Sequence, residues 1–255
     1  VNLVETYTHL ILEKIENSPF LYKDKMDRAI NYLAKKDNIL FLTTSNRYEG
    51  APDKPKSTQL AYHIREKLAD KNVKIIEVPN LNILPCTGNV SSMEGNNCGV
   101  KAALLKDKSK NPTGNIRCWQ ALQSKDEIYK VANAIFEADV IVFFVSVRWG
   151  QTNHIYQKLI ERLNWIENRH MTLGEDCIIK GKDAGIIAIG QNWNGANVIK
   201  TEKQVFKFFG FNTPEAISFN WQYTDNSWDE KKSSYINAPK IFQKVFGFLL
   251  KKEKK

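Results

Sequence analysis

The residues of this 255-residue chain whose types and spacing suit chemistry lie in three loops. The first runs Thr43-Thr44-Ser45-Asn46-Arg47 after a short apolar run. An insertion containing Gly50 and Pro52 follows, and the chain resumes as Lys56-Ser57-Thr58-Gln59 at the start of an amphipathic stretch. Hydroxyls and backbone amides converging on a helix N-terminus suit a phosphate, because the unpaired N–H groups and the helix dipole both favour an anion. An ordinary cap, with Ser57 capping its own helix, fits the same residues. Neither G-x-x-x-x-G-K-[ST] nor G-x-G-x-x-G is present, which disfavours nucleotide triphosphate and Rossmann dinucleotide sites.

The second loop, Val145-Ser146-Val147-Arg148-Trp149-Gly150-Gln151-Thr152-Asn153, follows the most hydrophobic segment and leads into a stretch carrying Lys158, Glu161 and Arg162. The third, Gly190-Gln191-Asn192-Trp193-Asn194-Gly195-Ala196-Asn197, has two glycines and several amides. It offers a close-approach surface rich in hydrogen-bonding groups, or a plain turn with Asn197 as a helix cap. His9, His63, His154 and His170 are not paired with cysteines or acids at metal-ligand spacing, and no serine sits in a G-x-S-x-G elbow. No catalytic acid–base residue and no metal ligand is therefore assigned.

These loops must be positioned by an alternation of strands and helices. Ile39–Thr43, Val73–Val78, Val140–Val147, Ala184–Gly190 and Ala216–Trp221 read as strands. The unbroken Val-Ile-Val-Phe-Phe-Val of the third implies burial on both faces. Apolar residues at helical spacing predict helices over Ser57–Asp70, Asp126–Ala138, Gln151–Asn168, Asn197–Phe209 and Ala238–Leu250. Two more precede the first strand within residues 1–37, interrupted at Ser18-Pro19. Strands alternating with helices point to a parallel sheet covered on both faces, with ligands outside the carboxyl ends of the strands where strand order reverses. The expected organisation is a helical extension over 1–37 and one domain over 38–255. Within it, residues 79–125 form a long irregular excursion, for which a lid or a dimer contact is expected.

Composition narrows the function classes. Hydrophobic residues at 42% and charged residues at 25% describe a globular protein. No apolar run reaches the roughly 20 residues of a membrane span and no secretory leader is evident, so a soluble, cytoplasmic protein without a membrane partner is expected. The formal charge of +9 is spread over helix faces and a lysine-rich tail, Lys251 to Lys255. Aromatics do not alternate with basic residues, so nucleic acid is not an expected partner. Cys86, Cys98, Cys118 and Cys177 are too few and too scattered for a disulfide scaffold and are expected to be free thiols.

Taken together, these segments resemble the NADPH-dependent FMN reductase and flavodoxin-like oxidoreductase superfamily over roughly Ile39 to Trp221. The family's S-P-V-Y-W-G-S-x-S, followed by Lys, an apolar pair and Asp-Arg, is matched by Ser146, Val147, Trp149, Gly150, Lys158 and Arg162. Arg148 stands near the usual tyrosine. Its T-x-S-x-R loop with Ser and Asn or Thr at the helix start is similar to Thr43 or Thr44, Ser45, Arg47, Ser57 and Thr58, although the insertion Tyr48 to Lys56 is longer than usual. The resemblance implies a flavodoxin-like, doubly wound, five-stranded parallel sheet with FMN as cofactor and NAD(P)H as co-substrate. Ser45, Arg47, Ser57 and Thr58 would hold the phosphate. Ser146, Val147, Arg148, Trp149, Gly150, Gly190, Gln191 and Asn192 would flank the ring. A small electron acceptor such as a quinone or flavin, and a homodimer or homotetramer, are implied as partners. An FMN electron carrier without nicotinamide turnover, and a binding module whose flavin site has decayed, are the alternatives. By its chemistry, Trp149 offers a flat apolar face to a flavin ring, and Gly150 lets a backbone N–H approach it.

Overall fold

The computed structural model of the protein describes residues 19–47, 50–51, 54–93, 95–189 and 194–221, with side chains from residue 24 onward. In chain order the principal elements are α1 (Pro19–Leu33), β1 (Asn38–Thr43), α2 (Lys56–Glu66), β2 (Asn72–Glu77), α3 (Ile128–Glu137) and β3 (Val140–Arg148). They continue as β4 (Gln151–Thr152), α4 (His154–Met171), β5 (Asp183–Ile189), α5 (Gly195–Phe209) and β6 (Phe219–Trp221). The part of residues 1–37 before Pro19, the predicted helix Ala238–Leu250 and the lysine-rich tail lie outside the described residues.

Five strands pair in parallel in the order β2-β1-β3-β5-β6, and β4 folds back antiparallel on the end of β3. Counting the parallel strands alone, this is the doubly wound order of the flavodoxin-like fold, which reverses between β1 and β3. The crevice for a ligand therefore lies at the carboxyl ends of those two strands, where Thr43 is in register with Phe144.

The β3 run is buried throughout from Val140 to Val145, as its sequence requires. Ile141, Phe143 and Val145 join the core under α3, α4 and α5, and Val140, Val142 and Phe144 join the core under α1 and α2. On one side Phe143 stacks on Phe206 with centroids 5.0 Å apart; on the other Phe144 meets Phe41 edge-on at 5.0 Å. Each such buried side chain contributes about 1.5–3 kcal/mol relative to exposure, so the alternation alone pins the register of the central strand. Helix α1 is a layer of the same fold: Met26, Ala29 and Leu33 are buried with Leu60 and Ile64, and the Tyr32 hydroxyl donates to Asp183 Oδ2 at 2.8 Å.

Three predicted elements are corrected. The fifth strand begins at Phe219 because Glu215–Ile217 form a single 3₁₀ turn. Ile217 there approaches β5 so closely that a Cβ at Gly185 would lie 2.3 Å from its carbonyl oxygen. Helix α4 starts at His154, since Gln151 and Thr152 are taken up by the antiparallel return. Helix α2 ends at Glu66, short of the predicted Asp70.

The 79–125 excursion is bound along α4. Its Ile83, Leu105, Ile116 and Ala121 are buried in the core shared by α3 and α4. Asp126 at its end and Arg162 of α4 form an ion pair with no solvent-exposed side-chain surface, bidentate at 2.6 and 3.1 Å. Arg162 also donates to the Leu84 carbonyl at 2.7 Å. Arg162, matched to a family motif by sequence, thus clamps the excursion and is not part of the sheet-edge site.

Candidate functional site

The carboxyl edge at the strand-order reversal is built from the ends of β1 and β3 and the first turn of α2. Thr44 extends the β1–β3 ladder, donating from its backbone N–H and its hydroxyl to the Phe144 carbonyl at 3.1 and 3.3 Å. Its neighbours behave differently. Thr43 Oγ1, Ser45 Oγ and Ser57 Oγ are all buried, and none has a hydrogen-bond partner. Ser57 is not a cap: Pro55 occupies the cap position of α2, and no side chain caps that end. Thr58 beside it is also buried, whereas Arg47 lies exposed on the loop.

A buried hydroxyl left without a partner costs about 1–3 kcal/mol. Three of them lie together where β1 ends and α2 begins. The first-turn N–H groups of the 11-residue α2 add the positive end of its dipole. At the same edge Glu77, in register with Thr43, is neutralised by an ion pair with Lys54 and accepts from the Tyr62 hydroxyl at 2.8 Å. Burial raises the Glu77 carboxyl, but hydrogen bonds from Lys54, Tyr62 and Asn80 outweigh it and hold the group below its ordinary value. Lys54 comes from the insertion that sets this loop apart, which thus adds a cation beside the cradle.

The loop after β3 is a two-residue hairpin. Arg148 pairs with Gln151, and Val147 pairs with Thr152. The central residues, Trp149 at φ +52° and Gly150 at φ +73°, both have the positive φ that tight hairpins of this kind demand. Glycine accepts this freely. A tryptophan there is strained, yet its side chain is 88% exposed and gains no packing in return. Gly150 is buried, and its carbonyl accepts from Asn194 Nδ2 at 2.9 Å, which ties the hairpin to the start of α5.

Asn153 holds these parts together. Its Oδ1 accepts from the backbone N–H groups of Ile155 and Tyr156 at 3.1 Å each, capping α4. Its Nδ2 donates to Thr44 Oγ1 and Ser146 Oγ, again at 3.1 Å each. One side chain thus joins the end of β1, the end of β3 and the start of α4. An Asn directly before an apolar-periodic helix is a readable cap signal. The link to Thr44, 109 residues away, has no local signature.

Of the residues expected to contact a cofactor, Ser45, Ser57 and Thr58 are brought to one buried edge, with Thr43 as an unassigned fourth hydroxyl. Ser146 is there but engaged with Asn153. Val147 is a buried hairpin residue, Arg148 and Trp149 are exposed, and Gly150 is the buried half of the turn. Gly190, Gln191 and Asn192 lie outside the described residues. Among the described residues, no group of three or more His, Cys, Asp or Glu is disposed to hold a metal ion, and no helix is long and apolar enough to cross a membrane.

No protein-family model matches the sequence, and no curated protein matches it. Solved structures do. RosB, with the bound intermediate 8-demethyl-8-formylriboflavin-5'-phosphate, is similar at a TM-score of 0.52 and 17% identity, over 76% of this chain and 69% of its own. An azoreductase from Bacillus anthracis str. Sterne is similar at a TM-score of 0.47 and 17% identity, covering 82% of this chain and 98% of its own. The apo form of the NADH:FMN oxidoreductase EMOB gives 0.44 and 16%, over 81% and 88%. The likeness to RosB, at that identity, establishes the fold, in agreement with the flavodoxin-like topology above.

Proposed function

We propose that this chain is a flavodoxin-like oxidoreductase that holds FMN at the carboxyl ends of β1 and β3 and passes electrons from NAD(P)H to a small acceptor such as a quinone or a free flavin. The observation that carries this reading is the trio of buried, unpartnered hydroxyls on Thr43, Ser45 and Ser57. A phosphate monoester has the several acceptor oxygens and the negative charge that these donors and the α2 N-terminus lack. RosB, which shares the fold, holds a riboflavin-5'-phosphate derivative. The residues present fit FMN.

In this reading Ser45, Ser57 and Thr58, with Thr43 added, hold the phosphate through hydroxyls, and the first-turn amides of α2 share its charge. Arg47 raises the local positive potential, while the charge of Lys54 is balanced by Glu77. The Trp149-Gly150 hairpin, tied down by Asn194 through the Gly150 carbonyl, would flank a bound ring. Gly190, Gln191 and Asn192 complete the surround by sequence. Bound FMN supplies the redox chemistry, so no acid–base pair is required of the protein. Arg148 at the hairpin would add positive charge near a bound ring, favouring the negative charge of its reduced form. A second subunit of a homodimer or homotetramer covers the exposed Trp149 ring and excludes water from the site.

The test is direct. Purified protein is titrated with FMN while its visible spectrum is recorded, then mixed anaerobically with NADH or NADPH. Retained flavin that bleaches rapidly is expected. Retention without bleaching would make the protein an electron carrier, and failure to retain FMN would sink both flavin readings. The +9 charge counts against the carrier, since flavodoxin-type carriers are commonly acidic.

A further inference from the structure

Three of the four cysteines, distant in sequence, meet beside α4. Cys86, Cys98 and Cys118 line one narrow cleft of about 10 Å³, together with Trp119, Arg162 and Trp165. All are free thiols. Cys98 and Cys118 are held there by the same helix. Arg162 Nη2 donates to Cys118 Sγ at 3.5 Å, and Asn164 Nδ2 donates to Cys98 Sγ at 3.8 Å. Their backbones are fixed as well. Asn168 Nδ2 donates to the Cys98 carbonyl at 2.5 Å, and Gly99 lies so close to α4 that a Cβ there would be 2.9 Å from the Trp165 carbonyl oxygen. The indole N–H of Trp119, next to Cys118, donates to the carbonyl of Asn97, next to Cys98, at 3.0 Å. That bond brings the two cysteine-bearing segments side by side.

We propose that Cys98 and Cys118 are a redox pair that a hydroperoxide converts to an intramolecular disulfide, at a modification site separate from the sheet-edge cradle. Among the described residues, no group of three or more His, Cys, Asp or Glu is disposed to hold a metal ion, these three cysteines included. Cys118 is the attacking group. Its sulfur accepts a hydrogen bond from Arg162 Nη2 at 3.5 Å, in a guanidinium that is paired with Asp126. Its sulfur displaces hydroxide from hydrogen peroxide: an S–O bond forms, the O–O bond breaks, and the Cys118 thiol proton leaves with that hydroxide as water. The Cys98 sulfur then attacks the Cys118 sulfenic sulfur. The S–S bond forms, the S–O bond breaks, and the Cys98 proton leaves with that oxygen as a second water. Two thiols lose two electrons, and one peroxide gains them. Burial pushes the Cys98 thiol up to about 11, against the hydrogen bond from Asn164 that lowers it and with smaller raising contributions from charge on Cys118 and Cys86, which keeps it a thiol until the sulfenic acid appears. The bond would close the 99–117 segment into a loop braced on α4.

The full-length reduced protein is treated with hydrogen peroxide, its remaining thiols are blocked with N-ethylmaleimide, and a non-reduced tryptic digest is mapped by tandem mass spectrometry. Cleavage after Lys101 and Arg117 separates the two cysteines. The expected product is a Cys98–Cys118 cross-link, with two of the four thiols lost and both restored by dithiothreitol. Cys86 shares the tryptic peptide of Cys98, so Cys86→Ser is run beside the wild type and should retain the cross-link, as should Cys177→Ser. Cys118→Ser should lose it. Four blocked thiols after peroxide, a Cys86–Cys118 link, or a cross-link only between chains would each overturn the proposal. The wild-type map alone decides if a variant does not fold.

Discussion

Replacing Ser57 by Ala should stabilise the apoprotein and weaken its hold on FMN, two effects of opposite sign from one atom. Ser57 is 2% exposed, and its Oγ has no partner. Removing that hydroxyl relieves a desolvation cost of about 1–2 kcal/mol, and the loss of a single oxygen leaves almost no cavity. Alanine in the first turn adds a few tenths of a kcal/mol through helix propensity. For a chain of this size each kcal/mol raises Tm by about 2–4 °C. A hydrogen bond to a charged phosphate contributes about 1.5–3 kcal/mol, so the same change should raise the FMN Kd about ten- to a hundredfold. Urea unfolding of the flavin-free protein measures the first effect, and quenching of FMN fluorescence on titration measures the second. Ser124→Ala, at an exposed position, is the control and should change neither. A Ser57→Ala apoprotein less stable than wild type would show that the hydroxyl is satisfied in solution. An unchanged Kd would show that the cradle does not hold the phosphate.

Asn153→Ala removes a cap and two cross-links and should cost about 2–3 kcal/mol in urea unfolding. Asn153→Asp keeps the acceptor for Ile155 and Tyr156 and should cost about 1 kcal/mol less, while weakening FMN binding as much. Trp149→Gly relieves a positive φ and should raise apoprotein stability by about 1 kcal/mol, while any oligomer seen by sedimentation dissociates at higher concentration. Burial raises the Asp183 carboxyl, but hydrogen bonds from Lys36, Tyr32 and Asn212 outweigh it, so its folded value is depressed. Its contribution to stability is then complete above the unfolded value of about 3.9 and is lost as pH falls through the lower folded value. Asp183→Asn should flatten the fall of the urea midpoint below about pH 4 and lower the midpoint at pH 7; parallel wild-type and variant curves would refute this.

Much of the fold was legible because the sheet is buried on both faces. The apolar runs at Ile39–Thr43 and Val140–Val147 can satisfy their backbones only as interior parallel strands, and both are found within a residue of their reading. The β4 return was not legible. Gln151 and Thr152 continue the helical spacing of Ile155 and Leu159, and only a tertiary constraint, the hairpin over Gly150, takes them out of the helix. The cysteines were read as scattered because 32 residues separate Cys86 from Cys118. What gathers them is the Arg162–Asp126 clamp with the hydrogen bonds of Asn164 and Asn168, none of which is local in sequence.

At the candidate site the residue types were readable and their energetic state was not. Ser57 as a satisfied cap and Ser57 as a buried orphan are the same letter, and only the geometry of Pro55 separates them. Among the described residues, the buried side-chain hydroxyls without a partner are Thr43, Ser45 and Ser57, all at the edge where strand order reverses, while other buried atoms without a partner, Asn133 Oδ1 on α3 and Trp165 Nε1 on α4, lie elsewhere in the fold. The strained, exposed Trp149 closes the loop of the adjacent strand. Between them Asn153 uses both ends of its amide and locks the frame in place. In the proposed reading, a bound anion with several acceptor oxygens would satisfy the three hydroxyls.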